Sequence, residues 1–117
     1  MQVSVKKTGK NSDIALLKIK GEIDTSNFFE LGHSLLSVTN KGCYKIIVDL
    51  NDVHFISSHG WGVFIAELKE IRENGGDIVL CEMNPNIYDN FMLIELNHIL
   101  KSFDTVEDGI VEFEQQS

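Results

Sequence analysis

The chain of 117 residues lacks most of what would staple, tether or subdivide a protein. It has one proline, Pro85, no Ser/Pro-rich stretch, no repeat, and no low-complexity run before Glu112-Phe113-Glu114-Gln115-Gln116-Ser117. A linker between folding units is therefore excluded, and residues 1–117 are expected to form one domain. There are two cysteines, Cys43 and Cys81, with neither a C-x-x-C nor a Cys/His ligand spacing. They read as small buried thiols rather than a disulfide or a metal site. The opening Met1-Gln2-Val3-Ser4-Val5-Lys6-Lys7 carries no apolar stretch of signal-peptide length, and no run approaches the ~18 apolar residues that span a bilayer. The expectation is a cytoplasmic protein. Cations are scarce as well: 10 Lys and Arg stand against 18 Asp and Glu, a net charge of −8 with no basic run. Nucleic acid and anionic membrane, which demand clustered positive charge, are poor partners for such a chain.

What is present suits a small soluble core. Apolar residues make up 43% and charged residues 24%, near the globular average. A chain of this length buries roughly two-thirds of its unfolded surface, enough to fold without metal or disulfide. Val3 and Val5 alternate with polar residues, and the turn Gly9-Lys10-Asn11-Ser12-Asp13 leads into the strand-like Ile14–Ile19. Gly21-Glu22-Ile23-Asp24-Thr25 breaks that strand. Phe28, Leu31, Leu35 and Val38 then fall on one helical face, with Asp24, Thr25 or Ser26 as candidate caps. Tyr44–Leu50 is almost continuously apolar, as in a central strand covered on both faces. From Ser58, the residues Phe64, Ile65, Leu68 and Ile71 recur at helical spacing until Asn74-Gly75-Gly76. Asp77–Cys81 is the next strand, and Asn84-Pro85 opens a helix that leads into Tyr88, Phe91, Met92 and Leu96. A short strand near Ile99–Phe103 and a helix from Thr105, with Val106, Ile110 and Phe113 inward, complete a β-β-α-β-α-β-α-β-α order. The fold class is α/β: a mixed sheet of about five strands, antiparallel in its first pair and otherwise parallel, with about four helices. No strongly apolar surface helix stands out, so a monomer is expected.

One segment carries the chemistry, Asp49-Leu50-Asn51-Asp52-Val53-His54-Phe55-Ile56-Ser57-Ser58-His59-Gly60-Trp61-Gly62-Val63. A central strand runs into a loop, two hydroxyls and a helix start, the place where open α/β sheets put their sites and where free N–H groups favour an anion. On residue type alone, the reading favoured for Ser57 and Ser58 is ordinary N-capping. His59-Gly60-Trp61-Gly62 is like the oxyanion-hole turn of some esterases, but no G-x-S-x-G elbow follows and adjacent Ser58 and His59 point apart on a helix. The third glycine of a dinucleotide fingerprint is replaced by Ile65. Asp49, Asp52, Glu67 and Glu70 have no metal-fixing spacing. No catalytic constellation, metal or cofactor is implied. Trp61 reads either as core or as an exposed anchor for a partner.

Across nearly the whole length the chain resembles a STAS domain of the bacterial anti-sigma-factor antagonist type. The resemblance rests on the opening hairpin, Gly21-Glu22-Ile23-Asp24, Val48 through Ile56, Gly60-Trp61-Gly62, Gly75-Gly76 and Asn84-Pro85-Asn86-Ile87. In that family the turn reads Asp-Ser-Ser/Thr-Gly-Leu-Gly. Its second hydroxyl is phosphorylated by a serine-protein kinase of the GHKL type that is itself the anti-sigma factor, and a PP2C-like phosphatase reverses the step. The resemblance implies partner contact through Asp24, Ser57, Ser58, His59, Gly60, Trp61 and Gly62, and it moves Trp61 toward contact. It also exposes a departure, because His59 stands at the acceptor position. Three outcomes follow: Ser58 (or Ser57) accepts phosphate out of register, the protein docks constitutively without a switch, or His59 is the acceptor. Constitutive docking would make the chain a subunit of a larger assembly such as a transporter ATPase.

Overall fold

A computed structural model describes residues 1–115. Ten elements follow one another: β1 (Gln2–Thr8), β2 (Ile14–Lys20), α1 (Phe28–Asn40), β3 (Lys45–Asp52), α2 (Ser58–Glu73), β4 (Asp77–Cys81), α3 (Pro85–Leu93), a 3-10 turn (Leu96–His98), β5 (Lys101–Phe103) and α4 (Val106–Gln115). The sheet order is β1-β2-β3-β4-β5. β1 and β2 pair antiparallel from Gln2↔Lys20 to Thr8↔Ile14, and the three later pairs are parallel. The expected strand and helix order and the mixed sheet are thus as observed.

The layering follows from handedness. Each parallel crossover is right-handed, and successive strands step in one direction across the sheet, so α1, α2 and α3 must lie on the same face. Their inward residues, among them Leu31, Leu35, Phe64, Leu68 and Phe91, pack with Ala15, Leu17, Ile46, Val48 and Leu80 in the larger core. The alternate side chains of the same strands, Ile14, Leu16, Ile47, Val79 and Cys81, meet Phe113 of α4 on the opposite face. β3 is buried without interruption from Ile46 to Leu50, the signature of a strand covered on both sides.

Several sequence expectations need correction. Asn27, rather than Asp24, Thr25 or Ser26, stands before α1, because Asp24 is engaged in its own turn. Ile65, Tyr88 and Met92 share helical spacing with inward residues yet are exposed, since α2 and α3 bury narrower stripes than the spacing suggests. Ile99 likewise lies outside β5 and is exposed. The expectation that no helix is apolar at its surface also fails: α3 and the turn after it expose Tyr88, Met92, Leu93 and Ile94. Both cysteines are buried and free, as expected. Burial, and then the nearby carboxylates Glu82, Asp49 and Asp108, push the Cys81 thiol up to about 12, so it stays protonated and unreactive at neutral pH.

Two polar anchors fix the helices to the sheet. Asp77, nearly buried, accepts from Arg72 Nε at 3.1 Å and from its neighbour's Ile78 N at 2.9 Å, while Arg72 Nη2 donates to Ile99 O at 2.6 Å. This ties the last turn of α2 to β4 and to the chain entering β5. On the other face, Glu82 accepts from Val106 N at 2.9 Å and so caps α4 through a carboxylate placed at the positive end of the helix. The α2–β4 turn is held by steric necessity: a Cβ on Gly76 would lie 1.8 Å from the Tyr44 carbonyl oxygen. We expect Gly76→Ala to cost more than about 4 kcal/mol or to prevent folding, because backbone rather than a movable side chain occupies the space. Gly75→Asn is expected to cost less than about 1 kcal/mol, since Gly75 has a left-handed φ of 82° that Asn tolerates and its Cβ would meet open space. Urea titration of the two variants checks the contrast.

Candidate functional site

Parallel strands gather their carboxyl ends at one edge, so the β2–α1, β3–α2 and β4–α3 loops meet there. They are joined by specific bonds. In the β2–α1 loop, Ile23 N donates to Phe55 O at 2.9 Å and Ile23 O accepts from Ser57 N at 2.8 Å, a one-residue parallel bridge to Ile56. From the β4–α3 side, Asn84 uses both ends of its amide: Nδ2 donates to Val53 O and Oδ1 accepts from Ile87 N, each at 2.9 Å. The loop holding Ser57 is therefore fastened from both flanks. Asn84 was legible as a cap beside Pro85, but its bond to Val53 joins residues 31 apart and left no local signal.

Within this frame α2 begins at Ser58. Ser57 is the N-cap, in extended conformation, and its Oγ accepts from Gly60 N at 3.2 Å. Ser58 is the first helical residue and is exposed. The two hydroxyls thus have different tasks, one closing the helix and the other facing outward. His59 is exposed too, but its ring lies 5.1 Å from the Phe28 ring of α1, tilted by 36°. It belongs to a row of aromatic contacts that continues from Phe28 to Phe29 and on to His33. Ser58 and His59 lean toward different neighbours, in keeping with their being adjacent on a helix.

Gly60 and Gly62, alike in sequence, differ in structure. A Cβ on Gly60 would lie 2.7 Å from Ile23 Cγ2 and 2.9 Å from Ile56 Cγ2, so the residue is buried against the bridge. A Cβ on Gly62 would meet nothing within 4 Å. The expectation that Trp61 is an exposed anchor is corrected: it is 3% exposed, packed against Phe91 and Phe64 with ring centroids 5.7 and 6.4 Å away. The spacing to Phe64 and Leu68 put it on the inward stripe of α2. Its Nε1 is buried without a hydrogen-bond partner, an arrangement that costs the core roughly 1–3 kcal/mol.

Asp24 sits next to the bridge residue Ile23. Its Oδ1 accepts from the Ser26 hydroxyl at 2.6 Å and from Ser26 N at 2.9 Å, and these bonds hold the carboxyl below its ordinary value. Asn27 Oδ1 in turn accepts from Asp24 N. The turn is rigid and presents an ionised carboxylate near the helix start.

Between the loop, α2, α3 and the 3-10 turn lies a groove of about 680 Å³. Ser57, Ser58 and Gly62 line it at the helix start, and Phe55, Ile65, Ile94 and Leu96 supply apolar wall. His59 and Asp24 are not among its lining residues, so the structure divides the sequence-predicted set into a groove side and an α1 side. Asn86 and Asn90 of α3 and Ile94 just after it were missed from the sequence, because they belong to a segment distant in the chain. Among the described residues no group of three or more His, Cys, Asp or Glu could hold a metal ion, and no helix is long and apolar enough to cross a membrane.

The STAS domain family model matches residues 5–109. The chain belongs to the STAS domain family. It is similar to the anti-sigma F factor antagonist of Paenibacillus polymyxa, 24% identical over 103 residues that cover 86% of this chain and 87% of that one. The crystal structure of TM1081 from Thermotoga maritima superposes with a TM-score of 0.85 at 28% identity, covering 94% and 92% of the two chains. The anti-sigma factor antagonist SpoIIAA, solved unphosphorylated, shares the fold with a TM-score of 0.73 at 14% identity, covering 99% and 100%. SpoIIAA has also been solved in a phosphorylated form, which superposes with a TM-score of 0.70 at 17% identity over 96% and 99%.

The paired glycines of this STAS domain test the geometry directly. Gly60→Ala is expected to destabilise by roughly 1–3 kcal/mol, the usual range for overpacking, because Ile23 and Ile56 must move apart. Gly62→Ala is expected to stabilise by about 0.5–1 kcal/mol through helix propensity alone. Trp61→Phe should fold with a cost below about 1.5 kcal/mol, since the indole N–H it removes is unpaired, whereas Trp61→Ala should cost about 3–5 kcal/mol. Thermal unfolding of the four variants measures all of these.

Proposed function

We propose that this STAS protein is an anti-sigma-factor antagonist: a cytoplasmic regulatory module without catalysis of its own, which binds a GHKL-type serine kinase acting as the anti-sigma factor. The observation that carries the reading is Ser58, an exposed hydroxyl at the first position of α2, on a loop braced from both sides. A kinase needs an accessible hydroxyl, and Ser57, whose Oγ is spent on the cap, is the poorer acceptor. His59 at the family's acceptor position stacks on Phe28 and is not the phosphate carrier of this scheme.

The switch works by local charge. Phosphorylation adds about −1.5 to −2 charges and strong acceptor oxygens, which the positive end of α2 stabilises without disturbing the fold. The same charge enters the middle of the docking surface. A coupling of 3 kcal/mol would weaken binding more than a hundredfold, at about tenfold for each 1.4 kcal/mol. Removal of the phosphate by a PP2C-like phosphatase restores docking and frees the sigma factor.

A second reading has one observation in its favour. Because an imidazole replaces the acceptor and is held by α1, the protein could dispense with the switch and dock permanently on a larger assembly such as a transporter ATPase. One experiment separates the two. Each GHKL-type kinase of the same genome is purified and incubated with the protein and ATP, and the product is weighed intact and after digestion. Addition of one phosphate, mapped to Ser58, is expected. Ser58→Asp should weaken the complex at least tenfold and Ser58→Ala should leave it within about twofold. A stable complex with unmodified protein, indifferent to both substitutions, would favour permanent docking.

A further inference from the structure

Two helices begin at the groove, and each leaves donors there that the fold does not use. α2, sixteen residues long, and α3, nine residues long, both start at the carboxyl edge of the sheet. Ser58 and Trp61 from the first turn of α2, and Asn86 and Ile87 from that of α3, line the same groove. The partial positive ends of two helices therefore meet in one cleft. Their caps satisfy only part of that charge. Ser57 Oγ accepts from Gly60 N and Asn84 Oδ1 accepts from Ile87 N, one N–H in each first turn. Among the described residues, Ser58 N, His59 N and Asn86 N have no hydrogen-bond partner.

A second observation points the same way and does not depend on the helix ends. Trp61, 3% exposed, borders the groove, and its indole Nε1 is buried without a partner. Long side chains on a helix lean toward its N-terminus, which carries the indole back over the first turn of α2. Ser58, Trp61, Gly62 and Ile65, at i, i+3, i+4 and i+7, form the stripe of α2 that lines the groove. The side-chain amides of Asn86 and Asn90, one turn apart on α3, also line it and make no hydrogen bond among the described residues. A buried donor is ordinarily paired, so its presence beside further unused donors marks a place where an acceptor is received. Opposite this polar end, Phe55, Ile65, Ile94 and Leu96 build an apolar wall. No Asp, Glu, Lys or Arg of the described residues lines the groove.

We infer that the groove is a binding site for a small organic monocarboxylate, its acid group at the converging helix starts and its apolar body along the wall. An acid is selected because the unused backbone and indole groups at that end are donors and no lining carboxylate opposes it. A single charge is selected because no Lys or Arg stands there to balance a second one, which sets nucleoside polyphosphates aside. An apolar body is selected by the wall, and about 680 Å³ lies within the range of small-molecule sites. The indole N–H is itself covered, so entry of the ligand shifts the side chains above it and gives that N–H its acceptor. The inference goes beyond the antagonist reading and stands whether or not Ser58 is phosphorylated.

The test uses the full chain with octanoate as the probe, and with octan-1-ol and octylamine as probes of the same body without the acid. Because the sequence has one tryptophan, the Trp61 indole N–H gives a single resonance that reports on the site. Titration followed by amide spectra should show octanoate binding at least tenfold more tightly than either control. The largest shifts should fall on the Trp61 indole and on the backbone of Ser58, His59 and Asn86. Trp61→Phe and Asn90→Ala each remove one donor. Both should weaken octanoate at least threefold and leave octan-1-ol within about twofold of wild type, a split that lost packing alone does not produce. Ser58→Asp, which sets a like charge at an exposed position of the site, should weaken octanoate at least tenfold and keeps the test decisive should Trp61→Phe not fold. A dispersed amide spectrum verifies the fold of each variant. No saturable binding of octanoate, equal binding of octanoate and octan-1-ol, shifts centred on the lysines of β1 and β2, or wild-type affinity in all three variants would overturn the inference.

Discussion

The site depends on the contact of Gly60 with Ile23 and Ile56. A parallel bridge one residue long, with hydrogen bonds of 2.9 and 2.8 Å on either side of Ile23, would be weak alone. It persists because Gly60 presents no Cβ, so the first turn of α2 can close onto both isoleucine side chains, which are almost fully buried. Hydrophobic packing then holds a polar backbone pairing in a water-poor setting, where a hydrogen bond is stronger and its loss costs more. Ser57 inherits its position from this pairing, and Ser58 from Ser57. An exposed hydroxyl at the start of α2 is thereby placed by groups one and two residues away from it.

The division between the two sides of α2 has a physical basis as well. Residue 59 turns toward α1 and finds Phe28; residues 58 and 62 turn toward the groove. Position 61 lies between them on the inward side and is buried. Any ligand group at Ser58 is therefore sensed on the groove side, while the imidazole joins an aromatic row with Phe28, Phe29 and His33.

Most of the fold was legible because its signals are local. The uninterrupted apolar run at Tyr44–Leu50, the Asn74-Gly75-Gly76 stop and the Asn84-Pro85 start are each read within a few residues, and each marks a real element end to within one or two positions. The site was legible at Ser57, Ser58 and Gly60 through the strand-loop-helix pattern. It was not legible at Trp61, where identical spacing serves core and surface until the width of the buried stripe is known. Nor was it legible at Ile65, Tyr88 and Met92, which lie at the edge of stripes that proved narrow. Asn84 to Val53, His59 to Phe28 and the wall formed by Ile94 are tertiary facts: each joins segments whose proximity only the sheet order decides.

That sheet order also explains why an exposed apolar surface and a core can coexist in so small a chain. Because β1 to β5 step in one direction, three helices crowd one face and a single helix covers the other. Crowding leaves α3 short, nine residues against the sixteen of α2, and the chain returns to β5 through a left-handed residue and a 3-10 turn rather than a longer helix. Such a short return cannot bury all its apolar side chains beneath itself. Leu93 and Ile94 remain outside because Phe91 and Leu96 have already filled the space against the sheet. An apolar surface next to the helix start is thus a consequence of topology, and it lies at the same edge of the sheet as the exposed hydroxyl of Ser58.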